Sequence, residues 1–94
     1  MPYDLGWRPE ADEAMTTLEA DPSKTAVVEA IDRTLMRMEA DPFDPRLGTI
    51  PFRSPELGGV YATPIRLDDW YILWQRGSGT QKLVIILIHQ LNVG

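Results

Sequence analysis

Apolar and polar positions alternate at the start of the chain, where Tyr3, Leu5 and Trp7 are separated by Asp4 and Gly6. A period of two is that of a strand with one buried face, so Pro2 to Trp7 reads as a first strand. From Pro9 the period lengthens: Ala11, Ala14, Met15 and Leu18 recur at helical spacing, and Glu10, Asp12 and Glu13 crowd the first turn. Anions there meet the positive end of the helix dipole, and a proline at the first helical position sacrifices no hydrogen bond. The pattern predicts an amphipathic helix from Pro9 to Ala20. Asp21-Pro22 interrupts and restarts it, with Asp21 as N-cap and Val28, Ile31, Leu35 and Met38 as a second apolar stripe that ends before Pro42. So short a connection predicts an antiparallel helix hairpin whose combined apolar face needs a sheet to cover.

Asp41 to Gly59 is rich in proline and glycine and follows neither period, which predicts a long surface loop. Three strand patterns come next: Val60 to Arg66, Trp70 to Arg76 and Gln81 to Leu91. Leu67-Asp68-Asp69 and Gly77-Ser78-Gly79-Thr80 join them at hairpin length, so they form an antiparallel meander. Leu83 to Ile88 is apolar throughout, the mark of a strand that is central or buried on both faces. Pro64, lacking an amide donor, belongs at an edge or a bulge. The expected fold class is α+β: one domain over residues 1–94, with an N-terminal strand, a two-helix hairpin and a three-stranded antiparallel meander. The first strand is expected to join that antiparallel sheet, over a core including Trp7, Ala14, Leu18, Ile31, Leu35, Ile72, Val84 and Ile86.

Composition agrees with a folded domain, since 44% of the 94 residues are hydrophobic and 24% charged. No apolar stretch approaches the roughly 18–20 residues that cross a bilayer, and no signal pattern opens the chain, so a cytoplasmic protein without a membrane role is expected. The absence of cysteine removes disulfides, thiolate catalysis and finger-type zinc sites. Net charge is -5, unevenly spread. Residues 1–41 hold ten acids against four bases, residues 42–94 four acids against five bases. An anionic partner is therefore expected to meet the second half of the chain.

Candidate chemistry is sparse. His89, the one histidine, follows the apolar run at the end of a strand, where it serves either as a general base or as a hydrogen-bonded structural residue. No ligand spacing for a metal surrounds it. Gly58-Gly59 and Gly77-Ser78-Gly79 precede strands and so are turns, not phosphate cradles, and no cofactor is expected. Trp70, Ile72 and Trp74 share one face of their strand, with Tyr71, Leu73 and Gln75 opposite. Arg46, Arg53, Arg66 and Arg76, interleaved with aromatics such as Tyr71, are candidates to grip an anion or a target.

With these residues in view, the whole chain resembles the RelE/ParE superfamily of toxins from bacterial type II toxin–antitoxin modules. Trp7-Arg8-Pro9-Glu10-Ala11 is similar to that family's strand-to-helix entry, and Arg66-Leu67-Asp68-Asp69-Trp70-Tyr71 to its Arg-x-Gly-Asp-Tyr-Arg segment. The resemblance implies a toxin neutralised by a cognate antitoxin which, when free, cleaves messenger RNA on the ribosome or poisons DNA gyrase. It also implies catalytic roles for Arg66 and His89. Tyr71 stands where the family's second arginine is usual, and the terminal His-Arg-Arg-x-x-Tyr run reads His89-Gln90-Leu91-Asn92-Val93-Gly94. These departures weigh against messenger RNA cleavage and toward a homologue that only binds another protein. Self-association through sheet edges is the remaining alternative.

Overall fold

A computed structural model describes residues 2–79 and 81–90. Strand β1 (Asp4–Trp7) leads into helix α1 (Pro9–Glu19), a single 3-10 turn at Pro22–Lys24 and helix α2 (Thr25–Ala40). After a second 3-10 turn at Pro45–Leu47 come β2 (Ile50–Ser54), β3 (Gly58–Pro64), β4 (Trp70–Arg76) and β5 (Lys82–Gln90). Asp21, expected to cap the second helix, caps the 3-10 turn ahead of it, its carboxylate accepting from the Ser23 amide at 3.0 Å, while α2 itself begins after Lys24.

The five strands form one sheet in the order β1-β5-β4-β3-β2. The meander β3-β4-β5 is antiparallel as expected, but β1 pairs with β5 in parallel, from Asp4 beside Lys82 to Trp7 beside Ile85. The sheet is therefore mixed, which corrects the all-antiparallel expectation. Turn lengths dictate the direction of neighbouring strands only, and β1 meets a strand more than seventy residues away. It is held at both ends: the Asp4 amide donates to the Gln81 carbonyl, the Arg8 amide to Ile85, and the Tyr3 amide to Glu39 at the end of α2.

A second correction concerns the stretch predicted as a loop. Its residues 50–54 form β2, an edge strand in an antiparallel hairpin with β3. Pro51 hid that strand from the pattern, and an edge is where proline is tolerated. Pro64 is accommodated similarly: it lies two residues past Ala62, where β2 pairing stops, so its missing amide leaves no partner unserved.

The uninterrupted apolar run of β5 has a specific cause. Leu73 pairs with Leu87 but Trp74 with Ile85, so Ile86 is an extra residue, a β-bulge. The bulge switches the parity of the strand. Leu83, Ile85 and Ile88 thereby join Ile72 and Trp74 in one cluster with Ala11, Met15 and Leu18 of α1 and Val27, Ile31, Leu35 and Met38 of α2. Of the expected core, Leu18, Ile31, Leu35, Ile72 and Ile86 are buried, Ala14 and Val84 partly so, whereas Trp7 stands 37% exposed on the outer strand.

The β3–β4 turn carries three non-glycine residues with positive φ: Arg66 (61°), Asp68 (50°) and Asp69 (59°). Aspartate tolerates this region and arginine rarely occupies it. Asp68 stands where the resembling family carries glycine, the residue this backbone favours. We expect Ile72→Ala to cost about 3 kcal/mol of stability through lost burial and a cavity, and Trp7→Ala clearly less. Asp68→Gly is expected to be neutral or stabilising by up to about 1 kcal/mol. Urea denaturation midpoints check all three.

Candidate functional site

Four of the seven arginines converge on one cavity of about 120 Å³, between α2, the 45–47 turn and the end of β3. Arg33 and Arg37, four residues apart on α2, share a face. Arg46 comes from the turn and Arg66 from the strained β3–β4 turn, with Leu47, Ile65 and Pro64 as apolar floor. Arg66 is fixed: its Nη2 donates to the Arg46 carbonyl at 2.9 Å. Gly48 makes this possible, because its backbone has φ of 69° and a Cβ there would sit 3.2 Å from the Arg66 guanidinium.

Asp44 organises the turn. Its carboxylate accepts from the Arg46 amide at 2.9 Å and from Nε and Nη2 of the same arginine, at 2.8 Å for the closest contact. These bonds hold the Asp44 carboxyl down at about 2 and push the Arg46 guanidinium upward. Asp44–Arg46 is the ion pair found among the described residues. Among the described residues no acid lines the cavity itself.

His89 lies elsewhere. It lines a larger groove, about 630 Å³, between α1 and the ends of β4 and β5, together with Glu10, Glu13, Thr17 and Trp70. The indole Nε1 of Trp70 is buried there without a hydrogen-bond partner, a donor left for an acceptor to enter. Tyr71 pairs across the strands with His89 and with Pro64. Strand alternation turns Tyr71 to the face opposite Ile72 and Trp74, and so away from the helices. Arg76 lies 4.8 Å over the ring of Phe43, which meets Tyr61 and Trp74 edge-on while those two stack at 4.6 Å. Arg53 is on the edge strand beside Gly59.

The structure thus gathers Arg46 and Arg66, sets Tyr71 beside His89, and leaves Arg53 and Arg76 apart from both groups. Arg66 and His89 line different depressions. Arg33 and Arg37, counted in sequence as part of an acidic helical half, line the same cavity as Arg46 and Arg66 of the second half. Their i, i+4 spacing was visible, but nothing local announced that residues 46 and 66 fold back against them. Leu91 to Gly94, the remainder of the terminal run, lie outside the described residues. Among the described residues no histidine–carboxylate group could hold a metal ion, and no helix is long and apolar enough to cross a membrane.

No family model matches the sequence, and no curated protein does. Solved structures do. The YoeB/ParE toxin from Agrobacterium tumefaciens superposes with a TM-score of 0.76 at 15% identity, covering 95% of this chain and 99% of that one. The chain has the RelE/ParE fold. The archaeal RelE–RelB complex from Pyrococcus horikoshii OT3 matches with a TM-score of 0.72 at 12% identity over the full length of both chains. The RelBE2 toxin–antitoxin complex from Mycobacterium tuberculosis matches with a TM-score of 0.67 at 18% identity, over 97% of this chain and 100% of that one. The α+β architecture expected from the sequence is therefore that of these solved structures.

The Asp44 clip has a testable pH signature. Because its carboxyl is lowered from 3.8 to about 2, the contribution of the clip is complete above about 3.8 and is lost as pH falls toward 2. A carbon-detected NMR titration should find the Asp44 carboxyl still ionised at pH 3, and Arg46→Ala should raise its midpoint part of the way toward 3.8, the residue-46 amide continuing to donate.

Proposed function

We propose that this chain is the toxin of a bacterial type II toxin–antitoxin module, neutralised by a cognate antitoxin and inhibiting growth when free. The carrying observation is the superposition on the Agrobacterium YoeB/ParE toxin over nearly the whole of both chains. That two further neighbours are toxin–antitoxin complexes supports an antitoxin partner. The target is translation, through messenger RNA cleavage, or DNA gyrase. The departures from the resembling family favour the second, because stabilising a phosphoryl transition state requires positive charge near the base, and Tyr71 and Gln90 stand where that family carries arginine.

The same observation favours a second reading, a binding-only homologue whose role is to hold another protein. Both readings use the sheet face away from the helices. Val60 and Ile86 are buried outside the helix-side cluster, and Ala62, Leu73, Val84 and Leu87 are half-buried beside them. Beyond them lies the edge strand β2 with Ile50 exposed. Such a surface accepts an added strand or an amphipathic helix. An acidic partner would meet Arg46, Arg53, Arg66 and Arg76 before the acids of α1. The competing occupant is a second copy of the chain, which light scattering on the purified protein detects.

Induced expression in a bacterial host, without neighbouring genes, decides between the two readings. The toxin reading expects growth arrest that His89→Ala and Arg66→Ala relieve at equal soluble expression. Normal growth with abundant soluble protein removes it and leaves the binding-only role.

A further inference from the structure

We propose that the cavity lined by Arg33, Arg37, Arg46 and Arg66 binds a single dianionic phosphate group. The proposal rests on charge and size and is independent of the toxin reading. Arg33, Arg37, Arg46 and Arg66, from three separate elements, line one small space, and among the described residues no carboxylate lines it; the Arg46 side chain is otherwise largely exposed. Asp44 pairs with Arg46 and also feels Arg37, and Asp41 acts on Arg46 from a little further away, so about two of the four positive charges remain uncompensated. The acids nearest in sequence are Glu29 and Asp32 before Arg33 and Glu39 and Asp41 beyond Arg37, and none forms an ion pair with either arginine among the described residues. Like charges at i, i+4 on α2 destabilise a bare helix, and Arg66 is held in an unfavourable backbone region. A bound dianion offsets both costs, and guanidinium pairs grip tetrahedral oxyanions in bidentate fashion.

Volume narrows the ligand. About 120 Å³ admits a phosphate group but not a nucleoside, whose pockets begin near roughly 300 Å³. An internal phosphodiester is a poor fit for a different reason. Each carries one charge only, and the chain around it would run over a protein of net charge -5. What remains is a phosphate with two ionised oxygens. Its source is either free inorganic phosphate or the terminal monophosphate of a nucleotide whose sugar and base stay outside.

The test titrates inorganic phosphate, and separately adenosine 5′-monophosphate, into the full chain at constant ionic strength, following amide signals by NMR. Saturable binding is expected with Kd below about 1 mM, shifting Arg46, Leu47, Gly48 and Arg66. Affinity should rise from pH 6 to pH 8 as phosphate loses its second proton. Arg33→Gln with Arg37→Gln, both exposed on α2, should weaken binding about tenfold or more, and Arg8→Gln, exposed and outside the cavity, should leave it unchanged. Equal or tighter binding of the nucleotide identifies a terminal phosphate as source, and binding of inorganic phosphate alone identifies the free ion. Absence of saturation, undiminished binding by the folded double variant, or acetate binding as tightly as phosphate overturns the proposal. Tighter binding of an oligonucleotide lacking a terminal phosphate overturns it in favour of a nucleic-acid surface.

Discussion

The buried indole of Trp74 is the point on which the rest of the arrangement hangs. It is wholly buried, so its N–H must find a protein acceptor or forfeit the full cost of desolvation, about 1–3 kcal/mol. Thr63 supplies that acceptor at 2.8 Å. The same hydroxyl meets Thr49 at 2.7 Å, which pins the segment ahead of β2. Gly48 is the next residue back, and through it Arg66 reaches the Arg46 carbonyl. A single buried donor is thus linked, bond by bond, to the position of the arginine cavity at the surface.

The second organising feature is the bulge at Ile86. In a regular strand Leu83, Ile85 and Leu87 would share the helix side, and Ile88 would face away. With one extra residue, Ile88 enters the helix-side core while Leu87 turns to the open face. Both faces of the sheet therefore become apolar around β5, and only one is covered by helices.

Electrostatics divide the molecule differently from the sequence. The helical half is acidic by count, yet α2 turns Arg33 and Arg37 toward the 45–47 turn, away from the apolar stripe of Ile31, Leu35 and Met38. Meanwhile Glu10 and Glu13 line the groove of His89. The basic depression and the histidine groove consequently have opposite local fields, which suits them to different ligands.

Local periodicity was enough to determine the two helices, the first strand and the meander. Each depends on neighbours within a few residues, and the stripes at Ala11 to Leu18 and Val28 to Met38 declare which side is buried. Asp21 as a cap and Asp68 at a glycine position were legible for the same reason. Tertiary structure alone decided four matters: the parallel pairing of β1 with β5, the existence of β2 behind Pro51, the exposure of Trp7, and the convergence of Arg33, Arg37, Arg46 and Arg66. The first, second and fourth depend on contacts between residues distant in sequence. The third depends on where the sheet ends, since Trp7 is apolar and correctly phased but occupies an outer strand. Periodicity records which side of an element is buried, and it carries no information about what another element brings to that side.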